Sequence, residues 1–316
     1  MARHAWLSSG VLIALIALAG GWLPPWLLPQ STIALSNGLA VLGMIVLWRA
    51  GLVSFGQALY YAGGAYAVAL SERYLGLRDA FLLVLIGTVL AGLFAYVAGF
   101  LLARYRGIFF AMLSLALSMI LYGILINSQT LGTSDGLSVS RATFLGFKAY
   151  RDHYSWALFA LVLGMVWLAA IAVERYNSTV AGSLSGPMID NELRIEFLGA
   201  SAKKLVHLKV VIAGLLTGAG GAIASLSVEH VDPDMAFWTV SGGFIFVAIL
   251  AGTASVWGAF IGALMFEGLR TTALAVMPGI WQTILGVALL LTILFVPRGI
   301  GGLLFRRRKG AAGAKP

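Results

Sequence analysis

Cysteine is absent from the 316 residues, which excludes disulfides, thiol catalysis and thiolate metal sites. Charge is nearly as scarce. Only 10% of residues are Asp, Glu, Lys or Arg, against about 25% in an ordinary soluble domain. The four histidines, His4, His153, His207 and His230, are far apart, and no H-E-x-x-H pattern occurs. Neither a metal site nor a cofactor is indicated. No G-x-x-x-x-G-K-[ST] phosphate loop is present, and Gly199-Ala-Ser-Ala-Lys203 lacks the second glycine, so the chain is not expected to hydrolyse ATP itself. Among hydrolase arrangements, Ser241-Gly242-Gly243 with His207 is the nearest candidate, and spacing gives it no specificity. A run of intramembrane Asp, Glu or His that could relay protons is also missing, which weakens the reading as a proton-coupled carrier.

What the chain has in abundance is apolar sequence. Hydrophobic residues make up 60% and the mean hydropathy is +0.95 over the whole length, so this is no soluble domain with one anchor attached. The expected fold is all-α, a polytopic transmembrane helical bundle of about 8–10 spans, each needing about 20 apolar residues. Apolar stretches cover roughly 7–28, 31–48, 56–71, 79–103, 108–127, 155–174, 204–228, 237–253, 256–277 and 279–296. The first could be a signal peptide, with Arg3 ahead of it and Ala17-Leu-Ala19 as a cleavage-like site, or a retained span that runs on through Trp22 to Leu28. The 39 glycines suit close helix packing and broken helices. Residues 1–305 form the expected transmembrane domain and 306–316 a basic tail, Arg306-Arg-Arg-Lys309.

Orientation follows from the basic residues between spans. With the tail in the cytoplasm, ten crossings put the N-terminus there too. Of 21 Lys and Arg, only Arg73, Arg78, Arg141, Lys148, Arg151 and Arg270 then fall outside. The net charge of +9 is accordingly a topology signal facing anionic lipid, not a nucleic-acid surface.

Two spans, 56–71 and 237–253, are short and adjoin glycine, in Gly51-Leu-Val-Ser54-Phe-Gly56 and Ser241-Gly242-Gly243. Such segments mark discontinuous or re-entrant helices beside a substrate path, or merely let helices approach closely. Gly51-Leu-Val-Ser54 with Gly63-Gly-Ala65 faintly echoes Gly252-Thr-Ala-Ser255 with Gly262-Ala263. Glu267 and Arg270 can pair on one helical face or serve transport. Uncharged polar residues in apolar settings are Gln57, Ser114, Ser118, Asn127, Thr217 and Gln282, to which Ser54 is added by its glycine-rich surroundings. They either hold helices together or line a path; Ser54, Gln57, Ser114 and Ser118 are the candidates for lining.

Two polar stretches interrupt the apolar pattern. Residues 128–154 form an expected exterior loop with the turn cluster Gly132-Thr-Ser134-Asp135-Gly136. Residues 174–204 form an expected cytoplasmic segment of mixed charge. Within it, Pro187 breaks the chain before a short amphipathic helix over 188–200, with Ile189, Leu193, Glu196 and Phe197 on one face. Such a helix docks on a cytoplasmic partner or lies on the membrane surface.

Several stretches resemble one family. Gly51-Leu-Val-Ser-Phe-Gly-Gln57-Ala-Leu-Tyr-Tyr-Ala-Gly-Gly-Ala-Tyr66 is similar to the G-L-x-S-x-G-[HQ]-A…G-x-G-A-Y signature of LivM-type permeases of ABC importers for branched-chain amino acids. Arg106-Gly-Ile-Phe-Phe-Ala-Met-Leu-Ser-Leu-Ala116 resembles the family's R-G-x-Y-F-A…T-L-A, and Thr133-Ser-Asp-Gly136 its T-[GS]-x-[DG]-G loop. Asp190-Asn-Glu192 with Glu196-Phe-Leu-Gly199 resembles R-[DE]-N-E…A-x-x-L-G, with Asp190 in the place of the arginine. Leu250-Ala-Gly-Thr-Ala-Ser-Val-Trp-Gly258 resembles G-G-x-G-[ST]-x-W-G, and Phe295-Val-Pro-Arg-Gly299 resembles F-x-P-[RK]-G.

The resemblance implies a permease subunit in the bacterial inner membrane without an ATP site. Its implied partners are a homologous second permease (LivH-type), two cytoplasmic ABC ATPase subunits and a periplasmic substrate-binding protein. Substrates would be branched-chain amino acids or related small polar molecules, with urea, amides or aromatic acids as the alternative within the family. A secondary transporter or channel without ATPases is the rival outside it. The coupling segment, about 183–203, would contact the ATPase through Ile189, Asp190, Asn191, Glu192, Leu193, Arg194, Glu196, Phe197, Leu198 and Gly199.

Overall fold

A computed structural model describes residues 24, 26–147, 151–190, 192–197, 199–253, 255–295 and 299. The basic tail and most of the first apolar stretch, 7–28, lie outside the described residues. The helices, numbered in chain order, are α1 (Leu27–Trp48), α2 (Gln57–Leu75), α3 (Ala80–Leu102), α4 (Gly107–Asn127) and α5 (Arg151–Ser178). Three short ones follow, α6 (Val180–Ser183), α7 (Ser185–Asp190) and α8 (Glu192–Phe197). The chain continues through α9 (Ala202–Val228), α10 (Trp238–Ala251), α11 (Val256–Val276) and α12 (Trp281–Phe295). Strands β1 (Leu137–Ser138) and β2 (His230–Val231) form a two-residue antiparallel pair. Among the described residues, six helices are long and apolar enough to cross a membrane, and α10 and α12 are shorter apolar helices. The all-α membrane bundle expected from composition is the fold observed. Leu27 and Leu28, placed at the end of the first stretch by hydropathy, belong to α1.

The core is organised around α9, which packs on α1, α2 and α3. Small residues set these approaches. Along α3, Gly87, Ala91, Ala95 and Gly99 recur every fourth position and meet Ala222, Gly218, Gly214 and His207 of the antiparallel α9. A Cβ at Gly218 would overlap the Ala91 methyl, and one at Gly221 would overlap the Tyr61 carbonyl of α2. Between membrane helices there is little hydrophobic drive beyond that from lipid, so close backbone packing supplies the attraction. The opposite face of α3 (Leu85, Val89, Leu93, Val97) stays exposed and apolar, as a lipid-facing surface requires.

Local signals fix the ends. Gly76, at φ +64°, terminates α2, and the Asp79 carboxylate caps α3 by accepting from the Phe81 and Leu82 amides at 3.1 and 3.3 Å. At this end of the bundle the 128–147 loop is stitched down at several points. β1 pairs with β2, the Arg141 guanidinium pairs with Glu229 at 2.7 Å, and the Ser140 amide donates to Glu72 at 2.9 Å.

Candidate functional site

Two helix breaks define the candidate site. After Trp48 the chain leaves the helix, passes Gly51 at φ +72°, and restarts at Gln57. After Ala251 it passes Gly252 at φ +74° and restarts at Val256. In the first break Ser54 Oγ accepts from the Gly56 amide, and in the second Ser255 Oγ accepts from the Trp257 amide, both at 3.2 Å. The faint echo of Gly51…Ser54 in Gly252…Ser255 thus falls on two breaks that share a left-handed glycine and a serine accepting from the amide two residues on, although Ser255 is itself the cap of its helix and Ser54 stands three residues ahead of Gln57. Left-handed φ at both glycines is what a side chain would resist. The breaks are also joined: Arg49 Nε and Nη2 donate to the Thr253 carbonyl at 3.0 and 2.8 Å. Gly299, from the F-x-P-R-G stretch, packs against Gly252.

The first break folds back into the bundle. A Cβ on Gly43 of α1 would sit 2.9 Å from Thr217 Oγ1 of α9, and Thr217 Oγ1 also donates to Gln57 Oε1 at 2.7 Å. So α2 begins level with Gly43, deeper than the end of α1. α10 starts at a similar level, because the Ala58 amide donates to Ser241 Oγ at 2.8 Å. Just before α10, the 3-10 turn Pro233–Ala236 is held by Ser118 Oγ donating to the Ala236 carbonyl at 2.8 Å. Ser118 lies about 17 Å along α4 from its first residue, so this turn reaches well into a hydrocarbon core of about 30 Å. Non-helical backbone at that depth needs internal partners, which the serines supply.

All four candidate lining residues come to this junction, and all are buried. Ser114 Oγ accepts from the Phe55 amide at 3.1 Å and donates to the Ala111 carbonyl at 2.8 Å. Ser54, Ser114 and Ser118 therefore each hold non-helical backbone, and Gln57 faces α9. Gln57 Nε2, fully buried, has no protein partner. Of the other polar residues, Asn127 donates to the Gly123 carbonyl on its own helix, and Glu267 pairs with Arg270 at 3.5 Å.

The described residues of the segment expected to be a helix over 188–200 are helical on both sides of Asn191, as α7 and α8, and Pro187 lies inside the first turn of α7 instead of ahead of the helix. Proline is tolerated there because the first-turn amides have no intrahelical acceptor. Among the described side chains of α7 and α8, the apolar ones buried against the bundle are Met188 and Ile195, at 4% and 0% exposure. They join an inner cluster with Leu47, Leu52, Leu102, Phe110 and Val206. Ile189 is 58% exposed and Phe197 89% exposed, with Glu196 exposed beside it. Ile189 also lies over Gly51 of the first break. Glu192 pairs with Arg106, which in turn donates to the Ala103 and Tyr105 carbonyls at 2.8 Å.

Gly199, at φ +81°, ends α8. The Gly199 amide donates to the Glu196 carbonyl at 2.9 Å and the Ala200 amide to the Ile195 carbonyl at 3.2 Å, a Schellman cap. Asp190 closes α7, and Leu193 and Arg194 occupy the second and third positions of α8. Asn191 and Leu198 lie outside the described residues.

A bundle of apolar helices of this length is that of a multi-pass membrane protein. The family model described as "Branched-chain amino acid transport system / permease component" matches residues 30–294, and the chain belongs to that family. It is 25% identical over 286 residues to the high-affinity branched-chain amino acid transport system permease protein LivM of Escherichia coli (strain K12). It is 24% identical over 282 residues to the protein of the same description from Salmonella typhimurium. Each match covers 80% of this chain and 66% of the relative, so the chain spans just under two thirds of the relatives' length. No solved structure matches the chain.

Proposed function

We propose that this chain is the membrane-spanning permease subunit of an ATP-driven importer for branched-chain amino acids or related small polar substrates. It sits in the bacterial inner membrane, pairs with a homologous second permease, and receives substrate from a periplasmic binding protein. Two cytoplasmic ATPases power the pair, and one of them docks on the segment 183–203. The observation that carries this reading is the seating of α7 and α8 directly on the first break, with α2 and α10 starting beside one another inside the bundle. Opening and closing the ATPase dimer then has a short route to the residues around Ser54, Gln57, Ser114 and Ser118. Alternating access needs a polar path whose two sides open in turn.

The test is to co-purify the chain with its ATPases, second permease and binding protein, and to screen that binding protein by thermal shift. Stabilisation by branched-chain amino acids, with matching ATP-dependent uptake, is the expected outcome. A shift only with urea, amides or aromatic acids moves the substrate to the family's alternative, and uptake without any ATPase overturns the ATP-driven reading.

Orientation is tested separately. With both termini cytoplasmic, residues 128–154 are periplasmic. The native chain has no cysteine, and Ser138 is exposed, so Ser138→Cys should react with an impermeant thiol reagent outside intact cells. Gly310→Cys should react only after lysis; the reverse pattern inverts the topology.

A further inference from the structure

We propose that Lys209 is a positioning residue that transmits movement of the coupling segment to the broken helix α2. The inference rests on the reading of the chain as an ATP-driven permease. Lys209 lies on α9, two turns in from Ala202, and is only 1% exposed. Its Nζ donates to Ser185 Oγ, the first residue of α7, at 2.6 Å, and sits 5.0 Å from the ring centre of Tyr176 on α5. Ser185 Oγ in turn donates to the Gly182 carbonyl of α6 at 2.6 Å. One ammonium group therefore gathers α5, α6 and α7 onto α9. A buried ammonium without partners is costly, so its contacts are held firmly and the four helices are registered against one another.

The other end of the connection lies on the same helix face. Lys209, Ala213 and Thr217 follow one another at four-residue spacing, and all three are buried. Ala213 and Thr217 pack on Gly43 of α1, and Thr217 holds Gln57 at the start of α2. A push on α7 reaches the restart of α2 through α9, about 12 Å of regular helix between Lys209 and Thr217. A rigid helix with a fixed hydrogen bond at each end carries displacement with little loss. An apolar residue at position 209 would leave the segment packed through Met188 and Ile195, yet free to slide on α9.

The test uses the full complex in liposomes and reads ATP hydrolysed per substrate imported. Lys209→Met removes the donor and Ser185→Ala the acceptor. Each is expected to raise that ratio about tenfold, the scale of one hydrogen bond to a charged group, while assembly and hydrolysis persist. The double variant should be no worse than Lys209→Met alone, because both changes break one link. An unchanged ratio in both single variants overturns the proposal. So does a parallel fall in uptake, hydrolysis and assembled complex, which marks a merely structural contact. If the wild-type complex shows no ATP-dependent uptake, the ATP-driven reading falls, and this proposal falls with it.

Discussion

Replacing Phe197 and Ile189 together by aspartate is expected to strip the ATPase from the purified complex while leaving the permease folded in the membrane. Phe197 is 89% exposed and Ile189 58% exposed, whereas Met188 and Ile195 on the same segment are buried. An exposed apolar pair has something to gain from a partner. Burying each such side chain is worth about 1.5–3 kcal/mol, less the ordering cost of association. Losing two anchors and adding two charges to the contact should lower affinity by at least about a hundredfold. The exposed Glu196 beside them would orient the partner more than hold it. Because neither substituted residue belongs to the inner cluster, the permease should keep its thermal transition and membrane level. Stoichiometric ATPase and full uptake in the double variant would reject the docking assignment. Loss of membrane-surface association with the ATPase retained would identify lipid as the occupant.

Gly218→Val should prevent accumulation of folded protein altogether. The added Cβ alone would overlap Ala91, and the neighbouring Gly64 of α2 already lies against the Gly218 carbonyl. Relief would require moving α3 or α2, each packed along much of its length on α9. Overpacking at a yielding site costs about 1–3 kcal/mol; here the obstacles are backbone and a methyl group on backbone, so the cost should exceed that range. Gly164→Val provides the control, since nothing lies within 4 Å of a Cβ at that position. It should express and unfold like wild type. Comparable detergent-extracted yield and midpoint for the two variants would show that the α3–α9 seam tolerates separation.

Composition and hydropathy are sufficient for the fold class because a membrane helix announces itself through length and apolarity, both local properties. The breaks are legible for a similar reason: Gly51 and Gly252 stand where helices must stop, with a serine three residues on in each case. The coupling segment is only half legible. Periodicity groups Ile189, Leu193, Glu196 and Phe197 on one face, whereas the face turned to the bundle is the one that carries Met188 and Ile195, seven residues apart, and hydropathy alone does not say which apolar residues meet the bundle. Lys209 and Ser241 leave no such trace. In sequence the first is one more basic residue near an inner boundary. Its partner Ser185 lies 24 positions away, and Ser241 meets Ala58 across 183. The roles of Ser114 and Ser118 depend in the same way on which carbonyl or amide the tertiary fold leaves unpaired.

The small-residue seam also limits how this molecule can move. Helices separated by long side chains can slide, since rotamers absorb the displacement. Where α3, α2 and α1 meet α9 through glycine and alanine, there is no such cushion, and a shift of a fraction of an ångström becomes a collision. Those four helices must then travel as a single body. Relative movement within the chain then falls to α4 and α11, the least enclosed of the long helices, and to the second break, which leads into α11. In mechanical terms the chain is a stiff block with a flexible flank, and Arg49, bridging the two breaks, is the strut between them.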